Sequence, residues 1–237
     1  MRHGEVDRQD LAFGRLNMKY LALLPLLAVL VGCGSSDTTN NTPATTGSTD
    51  LKESYNTPAA PPQEEPKFEK PKDGEEVGVI TTKFGNIVIK FRPDLAPKHV
   101  DNFKKLATKG FYDKVIFHRV IPDFMIQAGD PNTKDPTKTA SYGQGGPGYT
   151  LTDEFSSINH KRGIVSMANT GQPNTGGSQF FIVTTDHPDL NGKYSVFGEV
   201  LTGMDVADKI VAQPRNGQDL PNERIEMTVK IAKWPVK

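Results

Sequence analysis

The sequence predicts a mainly β fold, an antiparallel barrel capped by two helices, at the end of a long polar leader. Three observations predict it. Many short runs with strand composition lie between residues 77 and 234, separated by Gly/Pro/Asn turns. Two segments carry helical periodicity, which places two helices beside the strands. Composition shifts near residue 74, from Ser/Thr/Pro-rich polar sequence to apolar patterning.

The leader comes first. Residues 18–33 read MKYLALLPLLAVLVGC. Lys19 supplies a positive start, and Leu21 to Val31 form an apolar run too short to span a bilayer core as a helix. This is the form of a secretory signal peptide. Its end, Leu30-Val31-Gly32-Cys33, resembles the bacterial lipobox, which implies lipidation at Cys33. The competing reading is an uncleaved anchor with an incidental cysteine. Residues 1–17 are polar and include acids, so Met18 makes the better start. From Gly34 to Gly74 there is almost no large apolar side chain to offset ordering entropy, and the segment reads as a disordered tether. The chain thus divides into a signal region (1–33), a tether (34–74) and a folded domain (75–237). This layout places the domain in the cell envelope, lipid-anchored to a membrane and facing its extracytoplasmic side.

The domain opens as a hairpin. Val77, Val79 and Thr81 alternate, Lys83-Phe84-Gly85-Asn86 turns, and Ile87 to Phe91 returns. Pro97 suits a first helical turn, Val100, Phe103 and Leu106/Ala107 recur at helical spacing, and Gly110 sits at a C-cap. Strand-like runs follow at 115–120, 124–128, 163–167, 179–184 and 195–200. A second helix is expected over 203–212, stopped by Pro214, and Met227 to Trp234 alternates again to pair with the first strands.

Charge and cysteine content exclude several classes. Lys+Arg and Asp+Glu are both 28, and no basic cluster carries interleaved aromatics, so no nucleic-acid partner is expected. The single cysteine can form no internal disulfide and has no metal-ligand spacing around it. Asp130, Asp135, Asp153 and Glu154 lack the EF-hand spacing and read as solvated loop residues. Ser178 follows Gly176-Gly177 without a nucleophile elbow.

The chemistry concentrates in three segments. One is Phe117-His118-Arg119-Val120-Ile121-Pro122-Asp123-Phe124-Met125-Ile126-Gln127-Ala128-Gly129-Asp130. The second runs from Gly145-Gly146-Pro147-Gly148-Tyr149 to Asp153-Glu154-Phe155. The third is Ser166 to Ile182, containing Met167-Ala168-Asn169 and Gly177-Ser178-Gln179-Phe180-Phe181, continued by Asp189-Leu190-Asn191-Gly192-Lys193. Strand alternation puts Met125 with Gln127, and Gln179 with Phe181, on outward faces, while Ile126, Phe180 and Ile182 point into the core. An outward face of Met, Phe and Gln serves equally as a shallow binding site or as a surface packed under a loop.

These segments, in order and at matching spacing, resemble the signature of the cyclophilin family from about Glu76 to the C-terminus. The resemblance implies a closed eight-stranded antiparallel barrel with two helical caps and a site on its outer surface. It implies peptidyl-prolyl cis-trans isomerisation with no cofactor and no metal, on proline-containing unfolded or exported polypeptides, by a monomer. Arg119 then matches the catalytic arginine. Phe124, Met125, Phe181 and Leu190 match the proline pocket, with Tyr194 where the best-known eukaryotic members carry a histidine. Gln127 matches the glutamine beside the arginine, Gln179 one behind it, and Ala168 and Asn169 the stretch that binds the residue before proline. Gln172 lengthens the following turn by one residue, and Asp189 stands where those members carry a tryptophan, which implies weaker binding of the family's cyclic-peptide inhibitor. His118, on the strand face opposite Arg119, is expected to be a hydrogen-bonded core histidine. The alternative function is a non-catalytic module of the same fold that holds proline-containing segments.

Overall fold

The computed structural model describes residues 69–236. The expected signal region, Cys33 and the tether as far as residue 68 lie outside the described residues.

Strand β1 (Glu76–Thr82) and strand β2 (Gly85–Phe91) pair antiparallel, with Thr82 opposite Gly85. The turn is therefore only Lys83-Phe84, shorter than the four residues expected. Helix α1 (Pro97–Thr108) starts on Pro97, whose missing N–H costs nothing in a first turn. It buries His99, Val100, Asn102, Phe103, Leu106 and Ala107. Beyond its end Gly110, at φ 67°, donates to the Ala107 carbonyl, a left-handed conformation that glycine adopts without a Cβ clash.

The run expected at 115–120 becomes two short strands, β3 (Val115–Ile116) and β4 (Arg119–Ile121). The remaining elements are β5 (Met125–Ala128), β6 (Ile164–Met167), β7 (Phe180–Val183), β8 (Val196–Thr202), α2 (Met204–Val211) and β9 (Glu226–Lys233). They form one curled antiparallel sheet in the order β3-β9-β1-β2-β8-β6-β7-β5-β4. Among the described residues the sheet thus has nine strands, where eight were expected. The added strand comes from the split: β3 pairs only with β9, and β4 only with β5. The two ends of the sheet follow one another in the chain. Between them Phe117 N–H donates to the Ile225 carbonyl and His118 N–H to the Gln127 carbonyl, each at 3.1 Å.

The concave side holds the main core. Phe103 from α1 lies at its centre, with ring centroids 5.1 Å from Tyr112, 5.2 Å from Phe197 and 5.4 Å from Phe180. Ile126, Phe180 and Ile182 join that core, as strand alternation requires. Met125, Phe181 and Val183 point the other way, into a second apolar cluster with Ile158, Ile164, Leu190 and Val196.

Residues 70–74, part of the segment read as tether, lie against the domain together with Glu69. Gly74 N–H donates to the Trp234 carbonyl at 2.8 Å, and Lys90 Nζ reaches the Glu69 carbonyl. Pro71 is buried.

Candidate active site

A cleft of about 530 Å³ opens on the outer face of β4, β5 and β7. The register places its side chains. Arg119 on β4 stands opposite Gln127 on β5, and Gln127 stands opposite Phe181 on β7. Met125 lies two residues from Gln127 on the same face. Ala168 and Asn169 continue β6 across one wall, and Leu190 and Tyr194 arrive from the loop before β8. Nine of the ten expected cleft residues therefore line one cavity: Arg119, Phe124, Met125, Gln127, Ala168, Asn169, Phe181, Leu190 and Tyr194. The tenth, Gln179, lines an adjoining cavity of about 280 Å³ that shares Gln127, Ala168 and Asn169 with the first.

Gln179 nevertheless belongs to the same apparatus, because a chain of hydrogen bonds runs from it to the arginine. Gln179 Nε2 donates to the carbonyls of Gly143 (2.9 Å) and Gly145 (2.8 Å). Its Oε1 accepts from Gln127 Nε2 at 2.9 Å, and Gln127 Oε1 accepts from Arg119 Nη1 at 3.4 Å. The loop end of the chain is fixed by Asp130, fully buried, whose carboxylate accepts the amides of Asn132 (2.7 Å) and Gly143 (2.5 Å). Arg119 itself is exposed and has no ion pair among the described residues. A surface salt bridge, the bland role for such a side chain, is not what holds it.

The apolar wall is supported from behind. Met125, Phe181 and Leu190 are buried in the second cluster yet present an edge to the cleft. The Phe181 and Tyr194 rings meet edge-to-face with centroids 5.1 Å apart. His160 stacks behind Phe181 at 6.2 Å, its Nε2 3.0 Å from Ser166 Oγ, and burial lowers its pKa. Phe124 is half-buried against His187, whose Nε2 donates to the Asp123 carbonyl at 2.8 Å; that bond, reinforced by Asp189, raises the His187 pKa. The outward face is thus both things that its pattern allowed, packed beneath by loop residues and open above. Asp189 faces His187 at 3.2 Å and does not line the cleft.

Several expectations need correction. His118 is buried as expected and borders the cleft, but neither ring nitrogen makes a hydrogen bond of good geometry among the described residues; the Ile116 backbone and the Gln179 side chain lie close enough only to favour its charged form. Burial holds its pKa below the ordinary histidine value despite Asp130 nearby. The acidic residues are not simply solvated. Asp130 ties down its loop, Asp153 accepts the Asn174 amide at 2.7 Å, and Glu154 accepts the amides of Lys98 and His99 at the start of α1. Sequence reasoning missed Thr139, Ala140, Tyr142 and Gly143 along one rim, and Gln218 and Leu220 along another. The first group sits beside a recognised glycine-rich turn. The second comes from a loop with no local signal, brought in because Val120 N–H donates to the Asp219 carbonyl at 2.9 Å.

Comparisons with known proteins bear on the family and the fold. The family model for cyclophilin type peptidyl-prolyl cis-trans isomerases matches residues 77–236. A protein of Brucella abortus named "Probable peptidyl-prolyl cis-trans isomerase" is 44% identical over 169 residues, 70% of this chain and 84% of that protein. A peptidyl-prolyl cis-trans isomerase of Schizosaccharomyces pombe is 41% identical over 155 residues, 65% of this chain and 96% of the relative. Among solved structures, a cyclophilin type isomerase of Cryptosporidium parvum, crystallised in the presence of the dipeptide Ala-Pro, is 32% identical with a TM-score of 0.60. It covers 66% of this chain and 99% of its own.

Proposed function

We propose, from the premise that the chain belongs to the cyclophilin type peptidyl-prolyl cis-trans isomerase family, that the 530 Å³ cleft is where it catalyses rotation about Xaa-Pro bonds. The observation that carries this is Arg119, free of any ion pair among the described residues and held by Gln127 and Gln179 beside an apolar wall.

Rotation breaks amide resonance, a barrier of ~18–20 kcal/mol. No covalent bond forms or breaks, so nucleophile, metal and proton relay are not needed. At the twisted transition state the proline nitrogen turns pyramidal and regains its lone pair. A guanidinium donor aimed there stabilises the twisted form more than either planar isomer, and that difference is the catalysis. Phe124, Met125, Phe181, Leu190 and Tyr194 hold the ring, and the Ala168-Asn169 backbone holds the preceding residue, so the chain twists about one bond. Lowering the barrier by ~6–8 kcal/mol gives roughly 10⁴–10⁶-fold acceleration. The Ala-Pro dipeptide accompanying the Cryptosporidium parvum structure supports a proline-containing ligand. The test is NMR exchange spectroscopy on a short Xaa-Pro peptide. The parent chain accelerates exchange and Arg119→Ala does so at least ~10²-fold less well; binding without acceleration by the parent would favour a passive holding module.

In the same reading the curled sheet closes as an eight-stranded barrel through residues 115–121, supported by the bonds of Phe117 and His118 to opposite ends of the sheet. The domain acts as a monomer on exported polypeptides, anchored to a membrane through lipid on Cys33. The Leu30-Val31-Gly32-Cys33 ending and the polar residues after it support the anchor. Mass spectrometry of the mature N-terminus should find diacylglycerol on Cys33; a soluble mature form unchanged by Cys33→Ser would refute it.

A further inference from the structure

We propose that a groove beside the cleft, formed by Phe155, Gln172-Pro173, Lys193 and Tyr194, is a second subsite for the same polypeptide substrate, taking a bulky apolar side chain with a carboxylate next to it. The inference rests on the reading of the cleft given above. The groove encloses about 270 Å³ and shares Asn169 and Tyr194 with the cleft, so a chain held over Asn169 runs directly into it.

Four observations carry it. Phe155 is 47% exposed, one of two large apolar side chains left exposed among the described residues. The residue before it is fixed: Glu154 accepts amides of α1 through its carboxylate, and the Glu154 N–H donates to Ser195 Oγ at 2.9 Å. The ring is therefore presented by a fixed support. Second, Asn169 ties the two walls together, donating through Nδ2 to the Lys193 carbonyl at 3.1 Å and accepting the Gly171 amide at 3.0 Å. Third, the turn lengthened at Gln172 is internally braced, since Thr175 Oγ1 donates to the Gln172 carbonyl at 2.8 Å and accepts the Thr170 amide at 3.0 Å. Fourth, Lys193 is exposed and has no ion pair among the described residues, which leaves an uncompensated cation on the groove wall. A preformed apolar floor with one free positive charge selects an apolar side chain beside an acidic one.

The experiment measures binding of peptides to the full chain by calorimetry, and their isomerisation by NMR exchange. A short Ala-Pro peptide is compared with extended peptides carrying Phe-Asp, Phe-Lys or Ala-Ala at successive positions on either side of the proline. At one position Phe-Asp should bind about fivefold tighter than Ala-Ala, the scale of one partly buried aromatic contact. Phe155→Ser should abolish that gain, and Lys193→Glu should shift the preference from Phe-Asp to Phe-Lys. Both variants should turn over the short peptide like the parent. No gain at any position, a gain that survives Phe155→Ser, or an acid preference unchanged in Lys193→Glu overturns the subsite. Failure of the parent to accelerate the short peptide would instead overturn the isomerase reading, and the calorimetric differences judge the groove separately.

Discussion

At the scale of single residues, the site separates a fixed charge from a silent base. In the proposed mechanism Arg119 acts through donors placed by Gln127 and, behind it, Gln179. Arg119→Ala should lower kcat/KM by ~10²-fold or more, the scale of losing one preorganised donor, and Arg119→Lys should restore only part, because an ammonium lacks the rigid fork. Exchange spectroscopy reads both. His118, next in sequence, is the tempting alternative catalyst. Its pKa is lowered by burial, so the folded state binds a proton less readily than the unfolded chain. Its stabilising contribution is then present above the ordinary value of 6.5 and lost as pH falls through that value toward the lowered one. Denaturation midpoints of the parent should drop between about pH 7 and 5, and His118→Gln should flatten that slope. Turnover should stay nearly flat from about pH 6 to 8 in both proteins; a rate inflection that disappears in His118→Gln would make the histidine a proton carrier.

At the scale of elements, the strands and helices do different work. Strands β4, β5 and β7 set the cleft face because their register stacks Arg119, Gln127 and Phe181 in one row. Strand alternation alone revealed which side chains faced outward, since the period of two is a property of the backbone. It could not reveal that the same face would be half covered by two loops, one before β6 carrying Ile158 and one before β8 carrying Leu190. Helix α1 shows the converse. Pro97 and the apolar spacing marked it in the sequence, but its N-terminus has no side-chain cap of its own. Glu154, distant in sequence, fills that role, accepting Lys98 N–H at 3.3 Å, His99 N–H at 3.1 Å and lying 2.7 Å from His99 Nδ1. Burial pushes the Glu154 pKa up, yet the bonds from His99 and Lys98 outweigh it and hold the carboxyl below its usual value. Glu154→Ala should cost ~1–2 kcal/mol by urea denaturation, as for loss of a helix cap. A loss no greater than an ordinary surface change would show that the helix start is secured otherwise.

At the scale of the whole molecule, two features set stability. Glu199 is buried on β8 with neither carboxylate oxygen hydrogen-bonded among the described residues, where its nearest cation is Lys90 Nζ at 4.0 Å. Burial raises its pKa more than Arg92 and Lys90 lower it. Stabilisation from the protonated form is therefore complete below the ordinary carboxyl value and lost as pH rises through the raised one. Glu199→Gln should be more stable than the parent at pH 7–8, by on the order of 1 kcal/mol, with the gap closing toward pH 4. The other feature is the join between the two ends of the domain. A chain starting at residue 69 should fold and isomerise normally. One starting at residue 75 loses the bond from Gly74 to Trp234 and the Glu69 contact to Lys90, and should be less stable by ~1 kcal/mol. Equal denaturation midpoints for the two would show those contacts to be ornamental.

The sequence by itself determined the mainly β fold, the helices, the order of the elements and nine of the residues that line the cleft. The elements follow from local period and turn chemistry, which survive without knowledge of distant contacts; the cleft residues were legible only through the resemblance of contiguous motifs to a known family, since alternation alone left the outward face open between a binding site and a packed surface. Only the tertiary structure decided that the run read at 115–120 divides between the two ends of the sheet, that Glu154 caps α1, and that Gln218 and Leu220 reach the cleft rim. The same holds for the bonds that connect Asp130 to Arg119 through Gly143, Gln179 and Gln127. These depend on which loops are brought together when the sheet curls. A hydrogen bond between residues far apart in the chain leaves no periodic trace in either segment, because each partner reads alone as an ordinary polar residue.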